Sequence, residues 1–128
     1  MIQETTYGIK ISVNTNFQEE YSSPIQSHYV FSYRIIIENN SNHTIQLLKR
    51  HWYIYDSTGM TKEVHGEGVV GNKPILESGE TYEYVSGCNF RSELGKMHGS
   101  YLFKKVINDQ TFKVKIPEFV MAVPHLLN

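Results

Sequence analysis

The sequence predicts an all-β fold, an antiparallel β-sandwich, and three observations carry that prediction. Aromatic residues, which favour half-buried sheet surfaces, are abundant: nine tyrosines and six phenylalanines beside one tryptophan. Short apolar runs bounded by Gly, Pro, Asn, Asp and Ser recur along nearly the whole chain. No stretch keeps the apolar period of 3.6 residues that an amphipathic helix requires. The 128 residues are read as a single domain, residues 1–128, long enough to bury one core.

Taken in order, Tyr7, Ile9, Ile11 and Val13 alternate with polar residues and predict a half-buried first strand. Asn14 to Pro24 is polar and reads as a loop. Tyr29 to Glu38 is apolar on both faces, as in a central strand, and Asn39 to Asn42 ends it. Thr44 to Asp56 is the next strand, with Leu48, Trp52 and Ile54 on one face and Leu47, His51, Tyr53 and Tyr55 on the other. Trp52 is expected in the core. Asp56-Ser57-Thr58-Gly59 is a turn, Met60 to His65 a short strand, and the glycine-rich string after it a loop. Glu80 to Val85 is a strand closed by Ser86-Gly87. Met97 to Val106 and Thr111 to Ile116 form a hairpin that Pro117 stops, and the apolar tail beyond it is expected to pack. About seven short strands in one domain point to a sandwich of the fibronectin type III or immunoglobulin kind, with a small closed barrel as the alternative.

A formal net charge of −1 provides no overall field to gather nucleic acid or anionic lipid, so neither partner is expected. The first residues lack a basic segment followed by a long apolar one, and no apolar run reaches membrane-spanning length. Cys88 is the single cysteine, so no internal disulfide can form. A cytoplasmic protein is expected. Lys104, Lys105, Lys113 and Lys115, with Tyr101 nearby, form a modest basic stripe on the last hairpin, which reads as a solvated face rather than a nucleic-acid site.

His65-Gly66-Glu67-Gly68-Val69-Val70-Gly71-Asn72-Lys73-Pro74 contains the string G-x-G-x-x-G. In dinucleotide-binding proteins the glycines bridge a strand and a helix whose amide groups and dipole hold a pyrophosphate. Pro74 would break such a helix, and Val69 and Val70 are poor helix formers. The string therefore predicts a connection between strands, in which glycine supplies positive φ or close approach. The ligand reading left open is an amide nest for a phosphate, formed by Gly66, Gly68 and Gly71 with Lys73 beside it. A Mg or Co ion could bridge such a ligand to Glu67.

Glu63, His65 and Glu67 recur at i, i+2, i+4, so on a strand they share one face, and carboxylate and imidazole suit a transition-metal dication. Spacing alone is a weak signal, and no resident metal is expected. No arrangement of serine, cysteine, histidine and aspartate marks a catalytic site. Cys88, with His98 as the conceivable partner, reads as a small apolar residue.

The ordered set Arg50-His51-Trp52-Tyr53-Ile54, Asp56, Gly59, Glu63 to Gly71, Pro74, Ser78-Gly79-Glu80, Tyr84, Ser86-Gly87, Gly95, Met97, Gly99, Tyr101 and Ile116-Pro117-Glu118-Phe119 resembles the ApaG family over nearly the whole chain. The resemblance implies a fibronectin type III-like β-sandwich, a bacterial cytoplasmic protein, a genetic link to cobalt and magnesium efflux or resistance, and no catalytic reaction. Related domains act as protein-interaction modules. The family's glycine string has been regarded as a pyrophosphate-binding loop, which carries over to Gly66, Gly68 and Gly71, while Lys73 stands where glutamine is usual. The expected function is thus a non-enzymatic binding module with a protein partner, linked to divalent-cation homeostasis. The alternative is a pyrophosphate- or nucleotide-binding protein. Open sheet edges would permit a dimer.

Overall fold

The computed structural model describes residues 1–127. The described chain builds two antiparallel sheets from nine strands: β1 (Ile2–Thr6), β2 (Ile9–Phe17), β3 (Tyr29–Asn39), β4 (Ile45–Asp56), β5 (Thr61–Glu67), β6 (Ile75–Leu76), β7 (Thr81–Phe90), β8 (Leu94–Lys105) and β9 (Thr111–Ala122). One sheet has the order β1-β2-β3-β7 and the other β5-β4-β8-β9, with β6 also paired to β4. The expected β-sandwich is the observed architecture, with more strands than foreseen.

The core lies between the sheets. Ile9, Ile11, Val13, Phe31, Ile35 and Ile37 from the first sheet meet Ile45, Leu47, Trp52, Tyr101, Phe103, Val114 and Ile116 from the second. Period-two alternation places these side chains inward, and removing such aliphatic and aromatic groups from water stabilises by about 1.5–3 kcal/mol each. Trp52 is buried as expected, packed edge-on to Tyr33, Tyr101 and Phe119. On one side β9 closes against β1 and β2, where Tyr7 meets Phe112 and Lys115 pairs with Glu4 at 3.8 Å. The opposite side carries the outer edges of β5 and β7, which have no strand partner among the described residues.

Several expectations are corrected. Tyr7 belongs to no strand: with Gly8 it makes a turn at positive φ, 51° and 81°, between β1 and β2. Asn14 to Phe17 continue β2 rather than opening a loop, because they pair with Phe31 to Arg34 of the long central strand. Leu47 is inside, not on the outer face, because β4 shifts register against β8 between Leu47 and Lys49 and the bulge reverses the alternation. Ser86-Gly87 does not end β7, which stays paired with β3 as far as Phe90. Nor does Pro117 stop β9. Met97 pairs with Phe119 and Gly99 with Ile116, so Pro117 and Glu118 together face His98 in a bulge where proline's missing N–H breaks no ladder bond. The bulge also moves the buried positions from Val114 and Ile116 to Phe119 and Met121. The tail as far as Val123 packs as expected.

Candidate functional site

The glycine string lies on the open side of the sandwich. Gly66 and Glu67 finish β5, so the connection is narrower than the expected loop and spans Gly68 to Pro74 between β5 and β6. Val69 and Asn72 exchange both backbone hydrogen bonds, N to O at 2.8 and 2.9 Å, with Val70 and Gly71 between them at φ 46° and 77°. That is the two-residue hairpin geometry whose two central residues both take positive φ. Gly68 donates its amide to Leu48 O at 2.8 Å, at the β4 bulge, and Val69 is fully buried in the core. The string therefore reverses the chain and plugs the space between the sheets. No helix follows it.

Gly66 leaves room for an arginine side chain, and Gly68 is required by its backbone. Arg50, on β4 opposite Gly66, crosses the strand and donates from Nη1 to Glu67 O at 2.9 Å and Gly68 O at 3.0 Å. A Cβ on Gly66 would sit 2.5 Å from the Arg50 guanidinium carbon. At Gly68, with φ +63°, a Cβ would strike the carbonyl oxygen of Asn72. Lys73 Nζ reaches Glu67 Oε1 at 3.2 Å. The amides of Gly68, Val69 and Asn72 and the two nearby cationic groups thus already have intramolecular partners.

Beneath this turn a groove of about 570 Å³ opens between the β4–β5 edge and β7. Trp52, Val64, Phe90 and Met97 line it, and Arg50, Lys62 and Arg91 add positive charge against Asp56. Asp56 ties the groove's end: its carboxylate accepts from the Arg91 amide at 2.7 Å, the Ser92 hydroxyl at 2.5 Å and the Thr58 amide at 3.1 Å. Burial alone would raise its pKa, but those donors prevail and hold it below the ordinary carboxylate value. Cys88 lines the same groove, and burial pushes its thiol up to about 11. A thiol so raised is protonated at neutral pH and a poor nucleophile. His98 is not its partner, since that ring stacks on Tyr53 and Tyr55, with centroids 5.0 and 5.6 Å away.

On β4 and β5, His51 and His65 face each other directly, with their rings stacked at 3.8 Å. Glu63 Oε1 lies 2.7 Å from His51 Nε2 and 3.5 Å from His65 Nε2. The hydrogen bond from His51 holds the Glu63 carboxyl below its ordinary value. Of the expected Glu63, His65 and Glu67 trio, the first two come together, while Glu67 turns to Lys73 and its place is taken by His51. His51 was missed because periodicity along one strand says nothing about the residue across from it. The signal was nonetheless present, since counting outward from the Asp56–Gly59 turn pairs His51 with His65.

The lysine stripe contains no stacking platform. Tyr101 is fully buried, Lys104 pairs with Asp109 at 3.0 Å and Lys115 with Glu4. Among the described residues no helix is long and apolar enough to cross a membrane.

These features define a small antiparallel β-sandwich protein whose functional-type side chains gather around one open side. A sequence model described as the ApaG domain matches residues 19–105. The protein named ApaG from Methylorubrum extorquens is 44% identical over 98% of this chain and 96% of its own length. ApaG of Nitrosomonas europaea is 44% identical over the full length of both. A crystal structure of a putative ApaA protein from Bordetella pertussis superposes with a TM-score of 0.88 at 42% identity, covering 92% of this chain and 95% of that one. The chain belongs to the ApaG family.

Proposed function

We propose that the protein is a non-enzymatic binding module that takes an extended segment of a partner protein along its open side, and that it serves divalent-cation homeostasis through that contact. The observation that carries this reading is the groove between the outer edges of β5 and β7. Both edges present backbone N–H and C=O groups that an added strand satisfies, and the apolar floor offers side-chain pockets at alternate positions. Arg50, Lys62 and Arg91 outnumber Asp56 around the groove, which favours an acidic segment. The raised thiol pKa of Cys88 also suits a binding role better than a nucleophilic one. The link to cation homeostasis rests on family membership.

The test is site-specific photocrosslinking in the native bacterium from positions 62 and 91, with exposed position 3, on β1 at the edge of its sheet opposite β7, as control. The expected result is one protein captured from the first two positions, with an acidic extended segment at the crosslink, and its loss in Lys62→Glu and Arg91→Glu. Equal capture from position 3, or capture indifferent to both charge reversals, would falsify the reading.

A second reading, a phosphate-containing ligand at the glycine turn, is favoured by one observation. Lys49, Lys113, His65 and Gly66 line a shallow depression of about 390 Å³ beside that turn. This reading predicts that pyrophosphate or a dinucleoside tetraphosphate at a hundred times its dissociation constant adds about 2.7 kcal/mol to stability. Gly68→Val would abolish the shift. Absence of any shift with millimolar ligand, with and without Mg²⁺ or Co²⁺, sinks it.

A further inference from the structure

From the cross-strand arrangement of His51, His65 and Glu63 we infer a surface site for one transition-metal dication, coordinated by the two imidazoles and the carboxylate. Their three ligand atoms lie within 4.8 Å of one another. Around a bound dication such atoms sit about 2.0–2.2 Å from the metal and so about 3–3.5 Å apart, which small side-chain rotations reach from the observed 2.7 and 3.5 Å. The stacked rings, inclined at 29°, must tilt further so that both nitrogen lone pairs meet in front of Glu63.

The scaffold is suited to this. Both histidines stand on paired strands rather than loops, and Tyr53 packs against the His51 ring at 4.5 Å, limiting its rotamers. Three protein ligands leave coordination positions to water, and His65 is 68% exposed, so the metal enters without opening the fold. Two imidazole nitrogens select zinc, nickel or copper dications and discriminate against magnesium, which demands oxygen ligands. Lys49 and Lys113 border the neighbouring depression, and their charge keeps the affinity moderate. His125 and Glu93 form the natural control, a histidine and carboxylate 2.5 Å apart with no second imidazole in the cluster.

The experiment is calorimetric titration of the full chain with Zn²⁺, in parallel with electron paramagnetic resonance of the Cu²⁺ form. One equivalent of Zn²⁺ should bind, a hundredfold excess of Mg²⁺ should not compete, and the Cu²⁺ spectrum should carry hyperfine structure from two imidazole nitrogens. His65→Ala, at an exposed position where folding is not at stake, should weaken Zn²⁺ by more than about tenfold and leave one nitrogen in the spectrum. Glu63→Gln should weaken Zn²⁺ while keeping both nitrogens, and His125→Ala should change nothing. No Zn²⁺ binding by the unmodified protein overturns the proposal. So does an affinity unchanged in His65→Ala, or one lost equally in His125→Ala.

Discussion

Val70 is the residue whose conformation its chemistry fits least. A β-branched side chain at φ 46° is strained, because Cβ crowds the backbone in the left-handed region. Its side chain is 60% exposed, so packing does not compensate. Val70→Asn would place Asn-Gly at the two central positions of the hairpin turn, the pair that adopts such geometry most readily. We expect a gain of about 1 kcal/mol, seen as a higher urea midpoint with unchanged slope. No gain would mean that the turn is not strained at this residue. The glycines around it illustrate what a string reveals by itself. Pro74 and the two valines already exclude a phosphate-binding helix, and positive φ at Gly68 and Gly71 is what glycine leads one to expect. The room that Gly66 leaves for the Arg50 guanidinium was not legible, because Arg50 lies sixteen residues earlier in the chain and is adjacent only after β4 and β5 pair.

At the scale of the element, strand existence is legible and strand phase is not. Tyr29 to Glu38 reads as a central strand and is one, with neighbours on both sides. β4 and β9 instead change face partway along, at the bulges near Leu48 and Pro117, and a period-two reading carried through a bulge puts the following residues on the wrong side. Proline is an ambiguous signal for the same reason, ending a ladder in one context and sitting in a bulge in another. The ends of elements are held by side chains whose partners are remote in sequence. Asp56 closes β4 by accepting bonds from Arg91 and Ser92 in the β7–β8 connection. Because its folded pKa is lowered, the carboxylate stabilises the fold above the ordinary aspartate range, and the contribution is lost as pH falls through the lowered value. Asp56→Ala should cost about 1.5–3 kcal/mol at pH 7, the worth of hydrogen bonds to a charged group. The gap between variant and parent should narrow below about pH 4. Urea unfolding at several pH values measures both; a gap independent of pH would show that the loss is not electrostatic.

For the molecule as a whole, composition and turn spacing lead to a sandwich, but which strand joins which sheet depends on contacts between residues far apart in the chain. The two sheets meet through a mainly apolar interior crossed by buried polar links, among them the Asn39 side-chain amide of β3 donating to Leu76 O of β6 at 2.9 Å. Tyr84 of β7 and Tyr101 of β8, one from each sheet, join their hydroxyls by a short hydrogen bond in the core. Burial raises both phenol pKa values, so the pair is neutral and each hydroxyl depends on the other for its partner. Removing one hydroxyl leaves its mate desolvated and unpaired, which costs about 1–3 kcal/mol, whereas removing both leaves nothing unsatisfied. Tyr84→Phe and Tyr101→Phe should therefore each destabilise by that amount in urea unfolding. The double variant should lose far less than the sum, with a coupling energy of about 0.5–3 kcal/mol. If the two losses simply add, the hydroxyl pair does not couple the sheets, and their alignment is set by apolar packing and the Asn39–Leu76 link.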